Sequence, residues 1–207
     1  MTIPGALERQ ELPPPDPIVR FNALLDDAKK VDRAILPEPT AFALGTVDAS
    51  GQPSVRILLI KQVDERGFVF YTNFESRKGR ELTASGKAAL CFHWQPLEQQ
   101  VRVEGSVSRV SDAEADAYFA RRARLSQIGA WASRQSQVID PPGELERRVA
   151  EFEAKFAGRD VPRPPHWGGW RLTPVAIEFW QNMDNRLHVR HKYTRDGSRW
   201  RVETLYP

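Results

Sequence analysis

The sequence predicts an antiparallel β-barrel, closed or split, with a few helices on its surface, which makes the class α+β with strands in the majority. Three observations carry this. Short segments of alternating apolar and polar residues recur along the chain, as half-buried strands require. Two acid-to-glycine turns, Asp48-Ala49-Ser50-Gly51 and Asp64-Glu65-Arg66-Gly67, join neighbouring segments into antiparallel pairs. No glycine-rich strand-to-helix turn supports a doubly wound parallel sheet. With 207 residues, 41% of them hydrophobic, the chain has material for one substantial core. The expected organisation is a flexible, proline-rich arm over residues 1–16 and a single domain over residues 17–207.

Residues 11–17 hold four prolines and read as extended chain, with Asp16 and Pro17 as the N-cap and first residue of a helix. Ile18, Phe21, Leu25 and Ala28 recur at three- and four-residue steps, the spacing of an amphipathic helix, which ends before Pro37 and Pro39. Strands are expected over residues 41–47, 54–63, 68–72, 88–94 and 99–110. Ser76 opens a short polar helix running to Ser85. Ser111 and Glu114 form a capping box for a helix carrying Ala115, Tyr118 and Phe119. Leu145, Val149, Phe152 and Phe156 mark a further amphipathic helix over residues 143–156. After Pro162, Pro164 and Pro165, strands return over residues 170–172, 175–180, 186–194 and 199–205.

Composition excludes several classes. Thirty Lys and Arg stand against 27 Asp and Glu, and the interspersed signs leave no basic stripe of the kind nucleic acid selects. The one cysteine, Cys91, lies in an apolar run and reads as a buried structural thiol, so a disulfide framework is not expected and the reducing cytoplasm is the expected compartment. No apolar stretch approaches the roughly 20 residues of a membrane helix, and no signal segment opens the chain.

Without a glycine-rich phosphate loop, any phosphate must be held by side chains, and three basic groups compete for that role. Arg56-Ile57-Leu58-Leu59-Ile60-Lys61 is an apolar strand with a guanidinium at one end and an ammonium at the other. Ser76-Arg77-Lys78 begins a helix, where cations oppose the dipole unless an anion joins them. Tyr118, Arg121, Arg122, Arg124 and Ser126 set hydroxyls and planar guanidinium forks near the end of a helix. Farther on, Arg186-Leu187-His188-Val189-Arg190 reads as a strand placing Arg, His and Arg on one side, which solvent or an anionic ligand has to meet. Each group also has an ordinary structural reading. Arg56 and Lys61 serve equally as edge-strand charges, Arg77 and Lys78 as a solvated helix face, Tyr118 as a core aromatic, and His188 as a satisfied strand histidine.

Taken together, these segments resemble the pyridoxamine (pyridoxine) 5'-phosphate oxidase family over roughly residues 12–207. The resemblance also rests on Phe70-Tyr71-Thr72-Asn73, Gln99-Gln100, Ser126-Gln127-Ile128-Gly129-Ala130-Trp131, Gln135-Ser136, Trp167-Gly168-Gly169 and Glu178-Phe179-Trp180-Gln181. It implies an FMN-binding Greek-key split barrel and a homodimer with the flavin at the subunit interface. Carried onto this chain, it assigns FMN to Arg56, Ile57, Leu58, Leu59, Ile60, Lys61, Tyr71, Thr72, Arg77, Lys78, Gln100, Gln135, Ser136, Trp180 and Arg190. Lys61, Tyr118, Arg122 and Ser126 match the clamp on the substrate phosphate, while Arg186, Leu187 and His188 match residues over its pyridine ring, with Arg186 and His188 as the catalytic pair. The implied reaction moves a hydride from the 4' carbon of pyridoxine or pyridoxamine 5'-phosphate to the flavin, which oxygen then reoxidises. No metal is implied.

Three departures stand out. Val189 replaces a commonly acidic residue, removing a charge partner for Arg186 or Arg190. Ala123 replaces a proline after the clamp arginine, which loosens that loop, and an early Arg- and Tyr-bearing lid segment has no counterpart in residues 1–9. Three other readings stay open at this point: a phenazine-biosynthesis flavin oxidase of the same fold, a flavin-binding barrel without catalysis, and a nucleic-acid-binding barrel.

Overall fold

The computed structural model describes residues 13–207; residues 1–12, most of the expected arm, lie outside the described residues. The first helix, α1 (Pro17–Lys30), starts where the sequence places it. Asp16 accepts the Ile18 amide at 2.7 Å, and Pro17 occupies the first turn, where its missing N–H costs nothing. Its apolar stripe of Ile18, Phe21, Leu25 and Ala28 is buried, and the Phe21 ring meets Phe68 and Phe92 edge-on at 4.9 and 4.8 Å.

Nine strands follow: β1 (Ala41–Val47), β2 (Pro53–Leu59), β3 (Gln62–Asp64), β4 (Gly67–Asn73), β5 (Lys87–Trp94), β6 (Gln99–Arg109), β7 (Trp167–Gln181), β8 (Val189–Asp196) and β9 (Arg199–Leu205). All pairings are antiparallel, along the path β2-β1-β5-β6-β7-β4-β3, with β8 and β9 added beside β7. The two ends of that path, β2 and β3, are joined directly through Ile60 and Lys61. The Ile60 amide donates to Thr40 and the Lys61 amide to Val69, each at 2.9 Å, so the sheet curls until its ends meet. The expected single strand over residues 54–63 is therefore broken at this hinge. Inside the curl lies the main core, including Phe42, Leu44, Phe68, Phe70, Phe92, Trp94, Val101, Val103 and Phe179.

Two strands expected around Pro174 are one, β7, whose first half pairs with β4 and whose second half pairs with β8. Proline breaks a ladder only where its N–H is needed. Here it sits between the last β4 partner, Leu172, and the first β8 partner, Ala176, opposite Gly105, where the β6 register shifts. A side chain on Gly105 would lie 2.1 Å from the Thr173 carbonyl, so the bulge requires glycine. That change of partner is what splits the barrel.

Helices α2 (Arg77–Ser85), α3 (Asp112–Ala120), α4 (Arg124–Ala132) and α5 (Glu144–Lys155) lie outside the strands. The Ser76 hydroxyl accepts the Gly79 amide at 3.2 Å, and Ser111 accepts that of Glu114 at 3.2 Å. Glu114 does not complete the capping box, because its carboxylate takes Arg171 at 2.7 Å instead. α4 is a helix the sequence reading missed: Tyr118 lies in the last turn of α3, whereas Ser126 belongs to the first turn of α4. A second core of Phe119, Ile128, Phe156, Val161 and Trp167 joins these helices to the start of β7. Cys91 is half-buried and outward-facing on β5, not buried as expected, and burial pushes its thiol pKa up. Among the described residues, no helix is long and apolar enough to cross a membrane.

Candidate active site

Where the hinge, the end of β4, the start of α2 and the α3–α4 link converge, a cavity of about 820 Å³ opens. Its wall holds Arg56, Ile57, Leu58, Leu59, Lys61, Tyr71, Thr72, Lys78 and Gln135 from the expected cofactor set, together with Tyr118, Arg122 and Ser126 from the expected phosphate clamp. Asn73, Ala123, Gly129, Ala130, Ser133 and Trp167, which the sequence reading did not assign, complete it.

Three aromatic rings build one side. Tyr71 stacks on Tyr118 at 4.0 Å and lies parallel to Trp167 at 5.4 Å. Tyr71 pairs across the sheet with Gly169, and a Cβ there would stand 2.8 Å from the tyrosine ring, so glycine makes room for the stack. Burial pushes the Tyr71 phenol up to about 12 and the Tyr118 phenol in the same direction, so both remain neutral donors near neutral pH. The Arg122 guanidinium lies over Trp167 at 4.6 Å. Burial lowers the Arg122 pKa, and its Nη1 is buried without a hydrogen-bond partner among the described residues. An unpaired buried guanidinium nitrogen is costly unless a ligand meets it.

The α3–α4 link holds Arg122 in place. Gln127 donates from its side-chain nitrogen to the Phe119 carbonyl at 2.9 Å, tying the two helices together. Ala123 has φ −54, the value proline would impose, so its substitution for proline leaves the folded link unchanged. Among the described residues no side chain caps the N-terminus of α4, which leaves first-turn amides of Arg124 to Ser126 beside the cavity.

On the opposite side, Gln135 and Ser136 pin the chain after α4 against α2. Lys78 donates to Gln135 Oε1 at 2.9 Å, and the Arg77 amide donates to Ser136 Oγ at 3.2 Å. Burial lowers the Lys78 pKa, and the charge of Arg56 adds to the shift. Arg77 and Ser136 stand at the rim and do not line the wall. Ile60 faces the core, only 3% exposed, so it can serve a ligand only through its backbone.

The remaining expected residues form a second cluster away from this cavity. Gln100, Trp180 and Arg190 pair directly across β6, β7 and β8, which projects all three from the outer face of the sheet. Glu178 holds Arg190 at 2.9 Å and Arg102 at 2.6 Å, so the acid missing at position 189 is supplied from the neighbouring strand. Arg186, Leu187 and His188 are not on a strand, as the alternation had suggested: β8 begins only at Val189. They lie on a turn where Asn185 and Arg186 take φ values of 56 and 62, a left-handed backbone that side chains disfavour. Leu187 is 64% exposed, and the His188 ring lies 4.6 Å from that of Trp180. His188 Nδ1 accepts the Met183 amide at 3.2 Å, which places the proton of the neutral ring on Nε2.

Comparison with known proteins identifies the family and the fold. A family model described as pyridoxamine 5'-phosphate oxidase matches residues 28–156, and one described as the pyridoxine 5'-phosphate oxidase C-terminal dimerisation region matches residues 167–207. The pyridoxine/pyridoxamine 5'-phosphate oxidase of Myxococcus xanthus strain DK1622 is 59% identical over 194 residues, covering 94% of this chain and 93% of that protein. Its counterpart in Cupriavidus taiwanensis is 52% identical over 204 residues, covering 98% and 94%. Among solved structures, PhzG from Burkholderia lata 383, in complex with tetrahydrophenazine-1-carboxylic acid, superposes with a TM-score of 0.86 at 33% identity over 100% of this chain and 98% of its own. An FMN-binding protein of Nostoc punctiforme, at 17% identity and a TM-score of 0.70 over 91% of this chain and 96% of its own, shares the fold. With two family models covering most of its length and relatives above half identity, this chain belongs to the pyridoxamine 5'-phosphate oxidase family.

Proposed function

We propose that this protein is an FMN-dependent oxidase that converts pyridoxine 5'-phosphate or pyridoxamine 5'-phosphate to pyridoxal 5'-phosphate, with O2 as acceptor and hydrogen peroxide as by-product. The observation that carries this reading is the unpartnered Arg122 Nη1, buried beside the uncapped start of α4, with Lys61, Tyr118 and Ser126 on the same wall. Such a donor set suits a phosphate dianion. The residues present also fit the cofactor, because Arg77 and Lys78 form a second cationic group at the start of α2, distinct from the first. Two anionic groups thus have two places to bind.

When bound, FMN supplies the hydride acceptor and the route of electrons to oxygen. The chain's own contribution is binding and orientation. Lys61, Tyr118, Arg122 and Ser126 would anchor the substrate phosphate, Thr72, Lys78 and Gln135 on the wall with Arg77 and Ser136 at the rim would hold that of the cofactor, and the apolar run from Ile57 to Leu59 would receive its ring system. Arg186 orients the substrate ring, and His188, with its proton on Nε2, hydrogen-bonds a ring substituent. Because Gln100, Trp180, Arg186, His188 and Arg190 lie outside their own chain's cavity, the reading includes a homodimer in which this cluster of each subunit completes the cavity of the other. Residues 17–207 act as one cofactor-binding domain, and the cytoplasm is the proposed compartment.

Anaerobic mixing of the purified protein with pyridoxine 5'-phosphate tests the reading. Bleaching of the oxidised flavin absorbance, recovery on admitting oxygen and formation of pyridoxal 5'-phosphate are expected. A flavin that stays oxidised removes it and favours the phenazine-type alternative, to which the similarity with PhzG lends weight.

A further inference from the structure

Glu81 sits in the middle of α2, only 5% exposed, within the cationic group that would take the cofactor phosphate. A buried carboxylate repels a phosphate dianion, so its presence there calls for an offsetting role. One oxygen accepts Arg77 Nε at 2.7 Å. The other accepts the Thr46 hydroxyl and Arg56 Nη2, the latter at 3.3 Å. Arg56 is otherwise occupied as well. Its Nη1 donates to the Leu44 carbonyl at 3.2 Å and to the Thr46 hydroxyl, and its Nη2 to Ser54 at 2.9 Å. All four terminal N–H groups of Arg56 thus have acceptors within the chain. Arg77 is the opposite case, since it spends only Nε on Glu81 and its half-exposed terminal nitrogens have no partner among the described residues.

We propose that Glu81 is a positioning residue for the cofactor phosphate. It locks Arg56 as a spacer between β1, β2 and α2, and it fixes Arg77 by the Nε edge so that its two terminal nitrogens are left for the phosphate. This rests on the reading above that Arg77 and Lys78 bind that phosphate. It also gives the two arginines, both assigned to FMN by resemblance, different supports: Arg56 is braced on the cavity wall, and Arg77 is held at the rim with its terminal nitrogens available.

Charge and position predict opposite signs for the Glu81→Gln variant. If Glu81 acted only through charge, removing it would leave the site more positive and tighten FMN. As a positioning residue, its loss frees Arg77 and weakens FMN. The experiment titrates FMN and riboflavin, which lacks the phosphate, into the full-length protein stripped of flavin, and follows quenching of flavin fluorescence. Wild-type protein is expected to prefer FMN strongly, and Arg77→Ala to lose much of that preference; failure of either removes the underlying reading of the phosphate site. Given those results, Glu81→Gln is expected to weaken FMN about tenfold while leaving riboflavin unchanged, the scale of a hydrogen bond to a charged group. Equal or tighter FMN binding overturns the proposal, as does equal weakening of both flavins, which marks a general structural loss. If Glu81→Gln does not fold, Thr46→Val removes one of the two donors to that carboxylate oxygen and is read in the same way: a reduced FMN preference supports the role, and an unchanged one overturns it.

Discussion

The cavity holds twelve of the expected site residues and the outer cluster around Trp180 holds six, and the two are built differently. Around the cavity, side chains are held by hydrogen bonds between elements: Gln127 to the Phe119 carbonyl, Lys78 to Gln135 and Arg56 to Glu81. In the outer cluster, Arg190 is braced by Glu178, yet Arg186 and His188 stand on an exposed turn with a left-handed backbone. One chain preorganises the proposed anion sites, whereas the residues proposed to meet the substrate ring would acquire their surroundings from a second copy in the proposed homodimer. Binding and chemistry should therefore separate on mutation.

The largest expected effect tests that separation directly. Arg186→Ala should lower kcat/KM about a hundredfold while flavin remains bound, because orientation over the reacting carbon is lost and the cavity is untouched. A yellow, fully active variant would remove Arg186 from the mechanism. Next comes Arg56→Ala, which strands the buried Glu81 carboxylate. It should cost about 3 kcal/mol in urea unfolding, the scale for breaking a buried ion pair. Arg77→Ala, at the exposed end of the same network, should leave the unfolding midpoint nearly unchanged and release FMN instead. Matching losses of stability in both variants would erase the proposed division of labour.

Smaller again is the effect at the phosphate clamp. Arg122→Ala should raise KM for pyridoxine 5'-phosphate about tenfold with flavin retained, as expected for one charge-assisted hydrogen bond. Steady-state kinetics with protein of confirmed flavin content checks it, and an unchanged KM would separate the orphaned nitrogen from substrate binding. The smallest effect is one of pH. Hydrogen bonds from Thr46 and Arg77 hold the Glu81 carboxyl below its ordinary value near 4.5 against the opposing effect of burial, and Arg190 and Arg102 do the same for Glu178. A carboxyl whose pKa is lower folded than unfolded stabilises above the unfolded value and loses that stabilisation as pH falls through the folded one. Unfolding midpoints should therefore decline below about pH 4.5, the ordinary value, and decline less steeply in Glu81→Gln. Identical acid profiles would show that Glu81 is not among the groups responsible.

The sequence made four of the five helices among the described residues and most strands legible because their signals are local. Asp16-Pro17, Ser76 and Ser111 start helices through bonds spanning two or three residues, and the acid-to-glycine turns act over four. The motif residues of the cavity were legible through resemblance alone, since nothing nearby in the chain distinguishes Lys61 from an edge-strand charge. Trp167 appeared within a quoted motif without an assigned role, because its contact with Arg122 joins the α3–α4 link to the start of β7, far away along the chain. Glu81 was missed, although its position four residues after Arg77 is the helix spacing for an ion pair and offered a clue.

What the sequence by itself determined was the class of the fold, the caps of its helices and the stock of cations available to anions. Only tertiary structure decided how those cations divide. Arg56 and Arg77 look equivalent as residues, but one is enclosed by Leu44, Thr46, Ser54 and Glu81 from three elements, and the terminal nitrogens of the other have no partner among the described residues. Tertiary structure likewise decided that Arg186 and His188 leave the strand and the cavity of their own chain. The physical reason is range: caps and turns are settled by neighbours along the chain, whereas the satisfaction of a guanidinium depends on carbonyls and carboxylates that only folding brings within hydrogen-bonding distance.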